Sequence, residues 1–295
     1  MQRCPYCLGA VTALFDAVDE NHCISEVPFS YLRCASCETV FLPAPPADLA
    51  RYYENEYYEI PTLEKLKAIA RKDRNKIDTV TRFARRGRLL EVGPAFGVFA
   101  WQAKQAGFTV DVIEMDARCC EYLRDTVQVN VVRSDDPISA MAKLPQHDVI
   151  AIWHVLEHLP DTLGFMRAAA ENLTPGGALV VATPNPAAFQ FRIMGRRWPH
   201  LDAPRHLALI PAPLLASKAR ELGLEQVYLT SNDRDARSWN RFGWQRLLMN
   251  RFASKFMQRL MFAFGYGLNF LMGPLDRRDF KGSAYTIIFR KTADR

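Results

Sequence analysis

The sequence predicts an α/β fold, a largely parallel sheet flanked by helices, preceded by a small cysteine-rich module. Three observations carry that expectation. Short apolar runs alternate with helix-patterned stretches between residues 88 and 230. The runs are apolar almost without a break, as strands buried on both faces are. Two Cys-x-x-Cys pairs precede them, both within the first 37 residues.

The chain divides into four segments. Residues 1–45 hold Cys4-x2-Cys7 and Cys34-x2-Cys37, 26 residues apart, and end in the bend PAPPA. Each pair can form a knuckle, and four thiolates suit tetrahedral zinc. The stretch FDAVDENHCISEVPFSYLR supplies short strands that bring the pairs together; His22 and Cys23 within it are not expected to be ligands. Four Cys leave no open coordination position, so the zinc is read as structural. Residues 46–87 are read as a helical linker. They carry RYYENEYYE, whose Tyr52, Tyr53, Tyr57 and Tyr58 either pack between modules or border a ligand. Leu63, Leu66, Ile69, Ile77, Val80 and Phe83 then fall on one face, with Thr62 as N-cap. Residues 88–230 form the core, with strands at 89–92, 109–114, 129–132, 148–153, 178–183 and 226–230. Residues 231–295 hold an aromatic, basic stretch and a final strand, SAYTIIFRKT.

The chain has 295 residues, 49% hydrophobic and 24% charged, with net charge +6. Its basicity belongs to the tail: residues 231–295 carry 13 Lys or Arg against 5 Asp or Glu, and the remainder 25 against 27. Such a tail suits either an anionic surface or plain solvent. No run of eighteen apolar residues exists, and the first residues lack a signal peptide's apolar core, so the cytoplasm is the expected location. Paired cysteines in a reducing compartment point to metal rather than disulfides. Cys119 and Cys120, adjacent on a helix, are expected to face core and surface respectively.

The stretch LLEVGPAFGVFA, residues 89–100, is a strand, a turn and a helix. A dinucleotide fold wants G-x-G-x-x-G, and here those places are Gly93, Ala95 and Val98. The pattern acid-x-G-x-G-x-G fits better, through Glu91, Gly93, Ala95 and Gly97, with one glycine replaced by alanine. That pattern resembles the first motif of class I S-adenosylmethionine-dependent methyltransferases. The resemblance implies that Glu91, Gly93, Ala95 and Gly97 surround the methionine part of the cofactor. A carboxylate suits a cationic amino group there and repels a pyrophosphate. The next strand ends in VIEMD, and an acid at such a tip can accept both ribose hydroxyls. By resemblance Glu114 takes that role and Met115 lies beside the adenine. Asp116 is read as a helix cap. After the third strand comes RSDDP, where the resemblance brings Asp135 to the adenine amino group; Asp136 is the shifted alternative, and either can instead be a cap.

AIWHVLEHLPD, followed by NLTPGGALVVATPN, resembles the region around the fourth and fifth strands of small-molecule methyltransferases. The resemblance spans roughly residues 88–230. It implies a Rossmann-like, seven-stranded, mostly parallel doubly wound sheet whose last strand, near 284–292, is antiparallel. His154, Glu157 and His158 are spaced i, i+3, i+4 and would share a face on a helical turn. Three readings stay open: a His general base oriented by Glu157, a divalent-metal site, or hydrogen bonds within the fold. The metal reading rests on similarity to an E-x-x-E-H stretch of some ubiquinone-pathway O-methyltransferases, from which His154 departs. RRWPHLDAPRHL, residues 196–207, resembles the W…P-x-H loop of the same branch. There Trp198, His200, Asp202, Arg205 and His206 either close over substrate or brace the loop.

A ribbon ahead of such a core also resembles a bacterial arrangement linked to sugar, surface-polysaccharide and secondary-metabolite methylation. The expected function is therefore methyl transfer from S-adenosylmethionine to a small molecule, on a hydroxyl oxygen or on the carbon of a keto sugar. The acceptor is free, sugar-nucleotide or lipid-linked. The rivals are an rRNA or tRNA methyltransferase and a non-catalytic cofactor-binding scaffold. No N-P-P-Y-type base-flipping motif is present, so no nucleic acid partner is expected. In the tail, Arg251, Ser254, Lys255, Gln258 and Arg259 lie opposite Phe252, Phe256, Leu260 and Phe264. The segment 251–272 is either an interfacial helix in peripheral contact with the inner face of the membrane or a lid, the lid being preferred.

Overall fold

The computed structural model describes residues 2–53, 59–252 and 254–292, so Tyr57 and Tyr58 lie outside the described residues. In chain order the strands and α-helices are β1 (Val11–Ala17), β2 (Phe29–Cys34), β3 (Val40–Phe41), α1 (Leu63–Lys72), α2 (Asn75–Val80), β4 (Gly87–Val92), α3 (Val98–Gln105), β5 (Phe108–Glu114), α4 (Ala117–Tyr122) and β6 (Asn130–Arg133). There follow α5 (Pro137–Met141), β7 (His147–Trp153), α6 (Thr162–Asn172), β8 (Leu173–Pro184), α7 (Phe189–Met194), β9 (Ala208–Leu209), α8 (Ala212–Glu221), β10 (Leu224–Thr230), α9 (Arg234–Met249), α10 (Lys255–Asp276) and β11 (Ala284–Lys291).

The chain forms two compact units. One comprises Met1–Glu54, Thr183–Leu215 and Thr230–Thr286; the other comprises Asn55–Ala182, Ala216–Leu229 and Ile287–Arg295.

The second unit is built on a seven-stranded sheet in the order β10-β11-β8-β7-β4-β5-β6. The pairs β4–β5, β4–β7, β5–β6 and β7–β8 are parallel. This is the α/β, mostly parallel Rossmann-like sheet that the alternating apolar runs predict. The order reverses at β4, with β5 on one side and β7 on the other, which opens a crevice at their carboxyl ends. Leu89, Val112, Val149 and Val180 pack with Phe99, Ala103 and Leu123 in the core. Helix α1 starts where expected: the Thr62 side chain accepts the Lys65 backbone N–H at 3.3 Å. Leu66 on α1 and Ile77 and Val80 on α2 join the same core, so the helices of the linker segment are part of this unit. Cys119 and Cys120 are both buried; the expected surface position for Cys120 is not found, because its thiol packs against the Glu114 carbonyl oxygen at 3.4 Å.

The first unit carries an antiparallel sheet in the order β1-β2-β3-β9. Strand β9 arrives from far along the chain and pairs Val40 with Leu209. Tyr31, Tyr52, Phe191, Trp198 and Leu209 lie in its core. Tyr52 packs edge-on against Phe29 within this unit. Helices α9 and α10 pack on each other in the same unit; a Cβ on Gly265 would come within 2.7 Å of the Gln245 Cα. Among the described residues no helix is long and apolar enough to cross a membrane.

Candidate functional site

The turn between β4 and α3 has three left-handed residues at alternate places: Gly93 (φ +69°), Ala95 (φ +52°) and Gly97 (φ +80°). Glycine is demanded at the outer two by space as well as by φ. A Cβ on Gly93 would lie 2.5 Å from a Val155 methyl, and one on Gly97 2.4 Å from a Leu123 methyl. The middle position tolerates a methyl group in a conformation that side chains seldom adopt. Glu114, at the end of β5, fastens the turn: its Oε2 accepts the Ala95 N–H at 3.0 Å. Its Oε1 accepts the N–H groups of Met115 and Asp116 at 2.8 and 2.9 Å. Burial pushes this carboxyl up, and the three N–H groups pull it back without cancelling the shift. A carboxylate offers about four lone-pair sites, so acceptor capacity remains after three bonds.

Glu91, on β4, is buried, and its Oε2 has no hydrogen-bond partner among the described residues. Burial pushes its carboxyl up to about 8; the Lys76 ammonium draws it down and the Glu114 charge drives it up. Lys76, on α2, lies 5.1 Å from the centroid of the Trp153 ring at the end of β7. A buried carboxylate oxygen without a partner is expensive unless a cation or a donor meets it. The three strand ends β4, β5 and β7 thus carry one acid in want of a donor and a second with spare acceptor capacity.

The other predicted cofactor residues sort by what already holds them. Asp116 caps α4, accepting the Cys119 N–H at 2.8 Å. Asp136 caps α5, accepting from Ile138 and Ser139 at 3.1 Å each. Of the RSDDP pair, Asp136 is therefore engaged in a cap, and Asp135 is exposed beside it. Met115 is exposed just beyond the strand end.

Past β7 the backbone leaves the strand abruptly. His154 is left-handed (φ +55°), and its N–H donates to the Ala182 carbonyl at 2.8 Å. Leu156–His158 forms a single 3-10 turn. The three polar residues therefore do not share one face of an α-helix, since His154 precedes the turn. His154 Nδ1 lies 3.8 Å from Glu157 Oε1, Glu157 is buried and His158 is partly exposed.

His206 belongs to the first unit. It is buried, and its Nδ1 lies 2.8 Å from the His200 carbonyl oxygen. Asp202 and Arg205 of the 196–207 loop are likewise engaged inside that unit. Arg205 is fully buried between Asp19 and Asp202: Nη2 meets Asp19 Oδ1 at 2.6 Å and Asp202 Oδ1 at 2.8 Å, and Nε meets Asp202 Oδ2 at 2.8 Å. Burial pushes Asp202 up, but the Arg205 hydrogen bonds and the charges of His206 and Arg205 outweigh it and hold this carboxyl far below the carboxylate range. Arg205 and Asp202 brace the fold rather than close over a ligand. Nothing in the sequence marks Asp19 as their partner. Lys76 and Trp153 are likewise invisible as site residues, although a lone Lys at the start of the last linker helix is a signal of sorts.

Cys4, Cys7, Cys34 and Cys37 bring one sulfur each within 4.8 Å of all the others. The Cys4–Cys37 and Cys7–Cys34 sulfurs are 3.7 and 3.4 Å apart, near the roughly 3.8 Å edge of a tetrahedron with zinc–sulfur bonds of about 2.3 Å. The two turns are built alike. Leu8 and Glu38, each following the second Cys, are left-handed (φ +62° both) and donate to the carbonyls of Cys4 and Cys34 at 2.9 and 3.0 Å. Burial pushes the Cys4 thiol up to about 12. At Cys34 burial is outweighed by the N–H groups of Cys37 and Ser36, which help bring the thiol down to about 6. Four sulfurs this close cannot all be thiolates without a cation among them. The donor set fits a divalent metal.

A seven-stranded sheet with an acid-marked, left-handed turn after β4 and an acid at the tip of β5 defines a class I methyltransferase fold. The sequence profile of Methyltransf_23, a methyltransferase domain, matches residues 64–229, and the chain belongs to that family. It is 30% identical to a ubiquinone biosynthesis O-methyltransferase of Bordetella avium (strain 197N), over 47% of this chain and 62% of that protein. It is 31% identical to the enzyme of that name from Xanthomonas campestris pv. campestris (strain B100), over 38% of this chain and 49% of the relative. The chain thus spans less than two thirds of the length of these curated relatives. Among solved structures, a SAM-dependent methyltransferase from Archaeoglobus fulgidus superposes with TM-score 0.50 at 19% identity, covering 78% of this chain and 95% of that one. The [4+2]-cyclase SpnF superposes with the same score at 17% identity, covering 75% and 81%. These likenesses concern the fold.

Proposed function

We propose that this chain transfers a methyl group from S-adenosylmethionine to a small molecule, with O-methylation of a hydroxyl as the first choice and C-methylation of a keto sugar or related metabolite as the second. The observation that carries the reading is the buried, unpartnered Oε2 of Glu91 beside a turn that keeps side chains off positions 93 and 97. The cofactor supplies an electrophilic methyl group on a positively charged sulfur. Glu91 receives its amino group, and Gly93, Ala95 and Gly97 give its methionine part room. Glu114 accepts from the ribose hydroxyls, Met115 lies along the adenine, and Asp135 accepts from the adenine amino group.

On the acceptor side, His158 or His154 removes the hydroxyl proton, and Glu157 holds the imidazole in the tautomer that can accept it. Positioning the acceptor and excluding water supply much of the rest. The relatives' name, ubiquinone biosynthesis O-methyltransferase, supports an oxygen acceptor. The four-cysteine cluster holds a structural zinc, and thiols kept reduced for that purpose support a cytoplasmic location.

The test is incubation of the chain with a metabolite extract and cofactor carrying a labelled methyl group, with mass analysis of the product. A labelled small molecule supports the reading. Label in RNA favours the tRNA or rRNA alternative. Tight S-adenosylhomocysteine binding without label transfer favours a scaffold.

A further inference from the structure

Helix α10 presents a face that nothing among the described residues covers. Gly265 and Asp276 are buried against α9. Turned the other way are Phe256, Leu260, Phe264, Phe270 and Leu271, which are 50 to 81% exposed. They recur at spacings that put them on one side of a helix. Between Lys255 and Asp276 the helix carries one charge, Arg259. A contiguous apolar face of this kind marks a docking surface.

The charges around the face indicate what docks. Residues 236–278 hold eight Lys or Arg and a single acid, Asp276, which is fully buried. Arg251, Lys255 and Arg259 are exposed at one end of the helix, and Arg277 at the other, beside an exposed Arg278–Asp279 ion pair of 3.1 Å. The face is thus apolar along its length and cationic at both ends, with no exposed acid between. That distribution matches an anionic lipid surface, where apolar side chains enter the acyl boundary and bases sit at phosphate depth. A helix of 22 residues is about 33 Å long and can lie in that plane. A two-fold pairing of two copies would instead bring Arg251, Lys255 and Arg259 near like charges, and the exposed Asp279 is already paired with Arg278. A nucleic acid would meet five exposed aromatic and aliphatic side chains where it needs cations.

We propose that α10 is an interfacial anchor that lays this chain on a bilayer containing anionic lipid. Phe256, Leu260, Phe264, Phe270 and Leu271 enter the bilayer, and Arg251, Lys255, Arg259 and Arg277 meet the phosphates. The proposal is independent of methyl transfer and is tested without turnover.

The full chain is sedimented with vesicles of phosphatidylcholine alone and with vesicles of equal parts phosphatidylcholine and phosphatidylglycerol. Partitioning should be at least about tenfold stronger on the anionic vesicles and should weaken with salt. The double variant Phe256→Ser/Phe270→Ser should lose about a hundredfold in partitioning with an unchanged melting temperature, since both side chains are exposed. Lys255→Glu/Arg259→Glu should erase the preference for anionic lipid. Absence of binding to either vesicle, equal binding to both, or full binding by the serine variant overturns the proposal. A dimer in light scattering that the serine variant dissolves, with no vesicle binding, assigns the face to self-association and overturns it too.

Discussion

Glu114 accepts the Ala95 backbone N–H at 3.0 Å, so the acid at the tip of the second core strand is tied to the turn after the first. The same carboxylate takes the N–H groups of Met115 and Asp116. It therefore shapes the turn and, on the proposed reading, presents its remaining lone pairs to a ribose. These two roles separate by substitution. Glu114→Gln keeps one acceptor oxygen for the turn and loses the charge. It should bind S-adenosylhomocysteine about 10- to 100-fold more weakly by calorimetry, with native circular dichroism. Glu114→Ala also orphans three N–H groups and should in addition lower the melting temperature. Unchanged affinity in Glu114→Gln moves the ribose contact elsewhere.

How much of this was legible in the chain depends on sequence distance. Strands β4, β5 and β7 announce themselves, because burial on both faces leaves apolar runs such as DVIAIW. The turn is legible because space around Gly93 and Gly97 forbids a side chain. The pairing of Val40 with Leu209 is not legible, nor is the ion pair between Asp19 and Arg205, since each joins residues more than 160 positions apart with no local pattern. For the 196–207 loop the sequence leaves two readings, closing over substrate or bracing the loop, because prolines and charges say only that it is no buried helix. Arg196 and Arg197 are exposed, but Arg205 is buried because Asp19 and Asp202 answer its charge. The tail misled in the opposite direction: an apolar helix stripe suggests core, yet Phe256 and Phe270 are open to solvent.

Glu91 gives a pH signature. Its carboxyl stands near 8 against the usual 4.5, so between those values the folded chain binds a proton that the unfolded chain has released. The contribution of Glu91 to stability is therefore greatest at low pH and declines as pH rises from about 4.5 to 8. An ammonium group beside Glu91 favours the carboxylate, so ligand binding near neutrality releases the proton. S-adenosylhomocysteine affinity should rise from pH 6 to 8, by up to about tenfold per unit. Calorimetry in buffers of different ionisation enthalpy should register proton release. Glu91→Gln should flatten the profile; a flat profile in the unaltered chain refutes the amino-group contact.

The cysteine cluster is tested by metal content. Cys34→Ser removes one of four sulfurs and the thiol already drawn toward thiolate at neutral pH. Zinc stoichiometry by elemental analysis should fall from about one per chain to near zero, because four-sulfur sites tolerate no vacancy well. Chelation of the unaltered protein should lower its melting temperature, and zinc should restore it. Cys23→Ser, outside the cluster, should change neither. Full zinc occupancy in Cys34→Ser removes the four-thiolate assignment.

The Asp19–Arg205–Asp202 triad sets a limit on what the 196–207 loop can do. Arg205 is fully buried, and its guanidinium reaches both carboxylates and the Tyr52 carbonyl. Asp19 is satisfied further by the His22 and Ile24 N–H groups at 3.1 Å, and Asp202 by Asn21 at 2.6 Å. Such a network is worth little against an apolar replacement of all its members, but losing the cation alone strands two buried carboxylates. Arg205→Met should cost about 3–5 kcal/mol in urea unfolding at pH 7. Arg205→Lys keeps the charge without the fork and should fall between. In the methionine variant the Asp202 carboxyl loses the Arg205 hydrogen bonds and is left to burial, which raises it above its unfolded value. Its protonated form then favours the folded chain, and the deficit should shrink as pH falls from 7 toward the ordinary carboxylate range. A deficit under about 1 kcal/mol, or one that does not change with pH, would show that the triad is not what holds the loop, and would return Arg205 to the list of groups free to meet a substrate.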